Sequence, residues 1–239
     1  MIWVFGDSFF DLPSYETSII YWVDLLSDKA NTYNLAKGGT GPHYMLPLIE
    51  SELHKIKKDD VIICHISDKW RITFPSEIIP KDQMMQITRK GCNSNNKVLL
   101  EYYENNKNSI NFSFETFEKL IDELPQYTLS FLYSLNIKTI VFSSGLKAET
   151  RERFRLLNND IFHLSGNDLF DVSSNEFTEF NRDWFNALDL RNNHLSEENH
   201  YILVEYINNV LSNKKTLPKF KDKFINKDEV IQTEKFVYE

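Results

Sequence analysis

Apolar runs of strand length recur along this 239-residue chain, and stretches with helical spacing separate them. The apolar runs predict strands at 2–5, 31–35, 60–66, 138–144 and 160–164. The helical spacing predicts helices at 18–26, 42–57, 114–135 and 196–211. This alternation predicts an α/β domain with a mainly parallel sheet, in which functional sites gather at the carboxyl ends of the strands.

One long stretch interrupts the alternation. Residues 75–112 contain Pro75, Pro80 and Gly91 as well as an Asn-rich patch, so we expect an insertion that leaves the sheet and returns to it. Long insertions of this kind are often lids or partner surfaces. The remaining pattern predicts one domain over 1–212. The mixed-charge residues 213–239 are expected to form a peripheral extension.

The first predicted strand ends abruptly at Gly6, Asp7 and Ser8. A hydroxyl in this position lies beside unpaired backbone N–H groups and the positive end of a helix dipole, where both a nucleophile and an oxyanion are stabilised. The alternative is structural, because Asp7 or Ser8 in such a place commonly caps a helix. The triplet alone does not separate the two interpretations.

Glycines are concentrated after the second predicted strand. Gly38, Gly39 and Gly41 are three of the seven glycines in the chain. This density indicates a backbone that needs positive φ or a close approach to another group. A phosphate-binding loop is disfavoured, because no Lys-Ser or Lys-Thr pair follows the last glycine. A plain turn is the simpler alternative.

A histidine precedes the last predicted helix. Ser196 is a suitable cap for that helix, so His194 lies in the loop just before it. From there an imidazole can reach the edge of the sheet. An ordinary surface histidine is the alternative until a partner is identified.

Charge and composition narrow the class of protein. The 27 Lys and Arg against 35 Asp and Glu give a net charge of -8, which disfavours nucleic acid and anionic lipid as partners. The two cysteines suggest no disulfide framework. No apolar run has the length of a membrane span. Met1 leads directly into the first strand, so we expect no signal peptide and a cytoplasmic or virion-associated protein.

Three blocks in this order resemble the SGNH (GDSL-type) hydrolase family of serine esterases. They are the residues around Ser8, the segment from Asn34 to Gly39, and the segment from Asn193 to His200. The resemblance covers about residues 1–212, apart from the insertion. It implies a three-layer α/β/α, flavodoxin-like sandwich, no cofactor and no metal.

The resemblance also assigns roles to residues. It implies that Ser8 is the nucleophile, that His194 is the general base, and that the backbone N–H groups of Ser8 and Gly39 form the oxyanion hole. Two positions depart from the family pattern. Ser67 stands near the place of an asparagine that completes the oxyanion hole, and Asp189 lies five residues before His194 instead of three. Asp189 orients His194 if the loop bends back, and otherwise a Ser-His dyad remains.

The expected reaction is therefore hydrolysis of carboxylic esters, such as O-acetyl groups on carbohydrates or small esters, through an acyl-enzyme. An aspartyl phosphatase is disfavoured, because Phe9 occupies the position where a second carboxylate is required. The alternative from another class is a non-catalytic binding or structural module, for instance part of a viral or surface assembly. The departures at Ser67 and Asp189 motivate this alternative. The sequence does not indicate an oligomeric state.

Overall fold

A parallel β-sheet covered by helices on both faces forms the body of the protein, as seen in a computed structural model. The structure describes residues 1–7, 9–11, 20–27, 30–38, 40–67, 86–88, 91–93, 97–144, 146–168, 195 and 197–214. The strands are β1 (Ile2–Phe5), β2 (Thr32–Asn34), β3 (Val61–Ile66), β4 (Gln86–Thr88), β5 (Gly91–Asn93), β6 (Lys138–Ser143) and β7 (Phe162–Asp168). The helices are α1 (Trp22–Ser27), α2 (Pro42–Glu52), α3 (Lys97–Ser134), α4 (Ala148–Arg155) and α5 (Glu197–Leu211).

Five strands form the main sheet in the order β2-β1-β3-β6-β7. All four neighbouring pairs are parallel, and Phe5 lies opposite Cys64 while His65 lies opposite Phe142. This order is that of a flavodoxin-like doubly wound sheet, in which the order of successive strands reverses between β1 and β3. The predicted α/β class with a parallel central sheet is therefore confirmed.

Side chains of the central strands alternate between two cores, because successive residues of a strand point to opposite faces. Ile63 of β3 packs in the core beneath α1 and α5. Ile62 packs in the core beneath α2, α3 and α4. The first core also contains residues from the turn after β1, from α1 and from α5: Phe9, Phe10, Trp22, Leu26, Leu203 and Ile207. The sheet is thus the middle layer of three.

The largest difference from the predicted elements is helix α3. It begins at Lys97 and ends at Ser134, whereas the spacing predicts a start near residue 114. Asn lowers helix propensity only modestly, and no glycine or proline lies between Gly91 and Pro125 to end the helix. Residues 97–112 of the predicted insertion are therefore helical.

The rest of the insertion includes a short antiparallel hairpin. Strands β4 and β5 pair with each other in a sheet of their own, outside the main sheet. In the part of the chain that the structure describes, no helix has the length and apolar character needed to cross a membrane.

Other boundaries differ by a few residues. Helix α1 begins at Trp22, whereas the spacing predicts a start at residue 18, and Ile20 and Tyr21 are not helical. Helix α2 ends at Glu52, five residues before the predicted end, and the backbone N–H of Lys57 donates instead to the Asp60 carboxylate. Local spacing does not identify such ends, because they depend on where the chain must turn into the next strand.

Candidate functional site

Loops from the carboxyl ends of β1 and β2 meet at one edge of the sheet. The backbone N–H of Lys37 donates to the Gly6 carbonyl at 2.9 Å, and the Thr40 hydroxyl contacts the same carbonyl at 3.3 Å. The Gly38 N–H donates to Asp11 Oδ2 at 2.7 Å. Gly6 and Asp11 bracket the turn after β1, so these bonds hold the glycine-rich loop against that turn.

The loop after β3 joins the same edge. The hydroxyl of Ser67 donates to the main-chain carbonyl of Thr40 at 2.8 Å, and Ser67 is buried. Loops that follow β1, β2 and β3 are therefore connected where the order of the sheet reverses. In open α/β sheets this crevice is the usual place for a ligand.

Asp7 organises the turn that follows β1. Its main-chain carbonyl accepts hydrogen bonds from the N–H groups of Phe10 and Asp11, both at 2.9 Å. Its side-chain Oδ1 accepts a further bond from the Phe9 N–H at 3.1 Å. The Asp7 side chain thus acts as an Asx-type brace for its own turn. Asp7 and Phe9 are the chain neighbours of Ser8.

A buried histidine on β3 extends this arrangement. His65 Nδ1 donates to Asp7 Oδ1 at 2.6 Å, and His65 Nε2 lies 2.8 Å from Ser144 Oγ. An ionised carboxylate only accepts hydrogen bonds, so in the neutral ring Nδ1 carries the hydrogen and Nε2 accepts from the Ser144 hydroxyl. Asp7, His65 and Ser144 therefore form a continuous chain of hydrogen bonds across β1, β3 and β6.

Burial separates this chain of hydrogen bonds from solvent. The exposed fractions are 1% for Asp7, 1% for His65 and 5% for Ser144. The rings of Phe9 and Phe10 lie over the imidazole, with centroid distances of 5.0 and 5.4 Å. Such polar groups are stable in a core only when they are hydrogen-bonded, and this arrangement satisfies both nitrogens of His65.

The close approach of β1 to β3 requires a glycine at one position. A Cβ atom on Gly6 would lie 3.0 Å from His65 Cβ and 3.2 Å from Phe10 Cδ2. These distances are too short for unstrained carbon contacts. Gly6 therefore allows the imidazole to lie directly beside the end of β1.

Cys64 is the neighbour of His65 on β3 but points into the other core. Burial raises the pKa of its thiol above the usual value. The thiolate is the nucleophilic form of cysteine, so Cys64 is inert at neutral pH.

Four of the five predicted site residues lie outside the part that the structure describes: Ser8, Gly39, Asp189 and His194. Gly38 and Thr40, on either side of Gly39, are bonded at the edge described above, whereas the residues next to Asp189 also lie outside the described part. Leu195, which follows His194, is buried in the core that also contains Phe9. Ser67 is the described member of the predicted set, and in this arrangement its hydroxyl hydrogen is used by the Thr40 carbonyl.

The sequence pattern alone did not indicate that His65 and Ser144 belong to this region. A usable signal was present, because His65 interrupts an otherwise apolar buried strand and a buried imidazole needs partners. The partners lie 58 and 79 residues away in the chain, so their identity depends on the strand order. Among the residues with described positions, no three His, Cys, Asp or Glu side chains form a group suited to a metal ion.

Comparisons with known proteins give no relatives on which to base a function. No family model matches the chain, and no curated protein matches it.

Proposed function

We propose that this protein is a serine-dependent esterase in which Ser8 is the nucleophile. One observation carries the proposal: Asp7 and Phe9, on either side of Ser8, are held directly after β1 at the edge where the strand order reverses. We infer that Ser8, between them, faces the crevice in which α/β proteins of this topology bind ligands.

Two further observations support the proposed roles of Gly39 and His194. Gly39 lies between Gly38, whose N–H donates to the Asp11 carboxylate, and Thr40, whose hydroxyl contacts the Gly6 carbonyl. Leu195, the neighbour of His194, is buried in the core cluster that contains Phe9. We infer that the segments that contain Ser8, Gly39 and His194 converge near the end of β1, which is the requirement for a nucleophile, an oxyanion donor and a base to meet.

In the proposed reaction His194 removes the proton of Ser8 Oγ as that oxygen attacks an ester carbonyl carbon. The backbone N–H groups of Ser8 and Gly39 stabilise the oxyanion. The Ser67 hydroxyl would have to leave the Thr40 carbonyl in order to act as a third donor. His194 then protonates the departing alcohol, and water hydrolyses the acyl-enzyme to acid and free Ser8. Asp189 orients His194 if their side chains meet. We propose O-acetyl groups of carbohydrates or small esters as substrates.

The test is hydrolysis of p-nitrophenyl acetate together with labelling by a fluorophosphonate probe. Purified protein is expected to hydrolyse the ester, and Ser8→Ala is expected to abolish both activity and labelling. Ser51→Ala is the matched control, because Ser51 is exposed and bonds only locally to the Leu48 carbonyl among the described contacts. Equal turnover by folded Ser8→Ala protein would refute the proposal.

One observation favours a second candidate, a binding or structural module without catalytic activity. The Ser67 hydroxyl already donates to the Thr40 carbonyl, and loss of one oxyanion donor lowers the rate of such enzymes about 100-fold or more. Folded wild-type protein that neither hydrolyses esters nor reacts with the probe would support this second function.

A further inference from the structure

We propose that His65 is a positioning residue for Ser8, acting through the Asp7 carboxylate. This inference rests on the proposed function, because it assigns His65 a task only if Ser8 is the nucleophile. The observation behind it is the chain of hydrogen bonds from Ser144 through His65 to Asp7, at 2.8 and 2.6 Å.

The chain has the connectivity of a Ser-His-Asp triad, but its surroundings exclude direct catalysis by Ser144. A nucleophile must meet the carbonyl carbon of its substrate, and Ser144 is buried beside an imidazole that no solvent reaches. Phe9 and Phe10 pack against that ring. The Ser144 N–H is also bonded to the Ile66 carbonyl, so it is not available as an oxyanion donor. Any effect of Asp7, His65 and Ser144 on catalysis is therefore exerted through a neighbouring segment.

That neighbour is the turn after β1. Asp7 Oδ1 receives hydrogen bonds from His65 Nδ1 and from the Phe9 N–H, and the Asp7 carbonyl receives bonds from Phe10 and Asp11. The carboxylate is thus tied to β3 on one side and to the residue after Ser8 on the other. An error of about 1 Å in the position of a reacting group can lower a rate by about 100-fold, so a fixed carboxylate at this place has catalytic consequences.

The two nitrogens of His65 are expected to contribute unequally. Nδ1 faces a buried carboxylate, and hydrogen bonds to an ionised group are about twice as strong as neutral ones. Nε2 faces the neutral hydroxyl of Ser144. Removing the Nδ1 donor therefore takes away the bond that ties the Asp7 side chain to β3, whereas removing the Ser144 contact leaves that bond in place.

Two isosteric substitutions separate these contributions. The amide nitrogen of Asn can occupy the place of Nδ1, so His65→Asn keeps a donor to Asp7 and loses the contact with Ser144. The longer Gln side chain reaches the place of Nε2, so His65→Gln keeps a partner for Ser144 and loses the donor to Asp7. We expect kcat for p-nitrophenyl acetate to fall about 10- to 100-fold in His65→Gln, with KM nearly unchanged. His65→Asn retains the donor to Asp7, so we expect its kcat to be within about threefold of wild type.

Rates are compared per folded molecule, with circular dichroism and thermal unfolding as the measure of folding. A purely structural role predicts equal kcat per folded molecule in His65→Asn and His65→Gln, and this result would overturn the proposal. Labelling of Ser144 by the fluorophosphonate would also overturn it, because the buried chain would then be the reactive centre.

Asp7→Ala keeps the proposal testable if His65→Gln does not fold. This variant removes the brace itself, so we expect the same loss in kcat at constant KM. Where Asp7→Ala and His65→Gln both fold, the variant that combines them is expected to have a kcat no lower than that of the slower single variant. The reason is that both substitutions remove the same bond, the one between His65 Nδ1 and Asp7 Oδ1. Wild-type protein that is folded but inactive would refute the proposed function and this inference together. Active wild-type protein with additive losses in the double variant would refute the inference alone.

Discussion

Asp60 offers a quantitative test of how the amino-terminal edge of the sheet is stabilised. Its Oδ2 accepts hydrogen bonds from the Trp3 indole N–H at 3.0 Å and from the Lys57 backbone N–H at 2.9 Å. Its Oδ1 accepts from the Met1 amino group at 3.0 Å. The carboxylate therefore joins β1 to the turn before β3. Asp60→Asn keeps the size of the side chain but replaces one accepting oxygen with a donor.

The expected loss follows from the pKa of this carboxyl group. Burial alone would raise the pKa of Asp60, but the hydrogen bonds from Lys57, Trp3 and Met1 lower it from 3.8 to about 2. Each pKa unit corresponds to about 1.4 kcal/mol, so the ionised form stabilises the fold by at most about 2.5 kcal/mol. Lys57 and Met1 are exposed, and screening by solvent reduces the expected loss in Asp60→Asn to about 1–2 kcal/mol.

The sign of the pH dependence follows from the same pKa. A lowered pKa in the folded state gives stability that is fully present above 3.8, the pKa of the unfolded chain. This stability is lost as pH falls toward about 2, the pKa of the folded state. The difference between wild type and Asp60→Asn should therefore be constant above about pH 5 and shrink at lower pH.

Urea denaturation followed by circular dichroism at several pH values measures this difference. Asp59→Asn is the matched control, because Asp59 is the adjacent carboxylate and is exposed. We expect esterase activity per folded molecule to be unchanged in Asp60→Asn, since Asp60 precedes β3 and the candidate site follows it. Equal stability of wild type and Asp60→Asn at about pH 7 would refute the reasoning, as would a difference that persists undiminished near pH 2.5.

Two other substitutions test the packing of the sheet. Gly6→Ala places a Cβ atom 3.0 Å from His65 Cβ, and we expect a loss of about 1–3 kcal/mol in the free energy of unfolding, measured by urea denaturation; an unchanged midpoint would contradict the close approach. His163 lies beside Tyr206 Oη, and burial lowers the pKa of its imidazole from 6.5 to about 4. The neutral ring therefore stabilises the folded state fully above pH 6.5, and this part of the free energy of unfolding is lost as pH falls toward about 4. Between these values wild type should lose about 3 kcal/mol more than His163→Gln, and parallel pH profiles would disprove this.

Local pattern was sufficient to predict the class of fold. The apolar runs that became β1, β3 and β6 lie within two residues of their predicted bounds, because a strand buried on both faces needs apolar residues at nearly every position. The helix before residue 211 was also predictable from its spacing. The three blocks that suggest an esterase are sequence features as well, and the roles of Ser8, Gly39, Asp189 and His194 stay predictions.

Long-range packing decided the rest. Strands β4 and β5 pair with each other apart from the main sheet. The partners of His65 are set by strand order and register, which place β3 between β1 and β6. The sequence by itself determined only that His65 lies within a predicted apolar strand. Only the tertiary structure decided that Asp7 and Ser144 satisfy its two nitrogens, because a hydrogen bond depends on distances in space and not on separation along the chain.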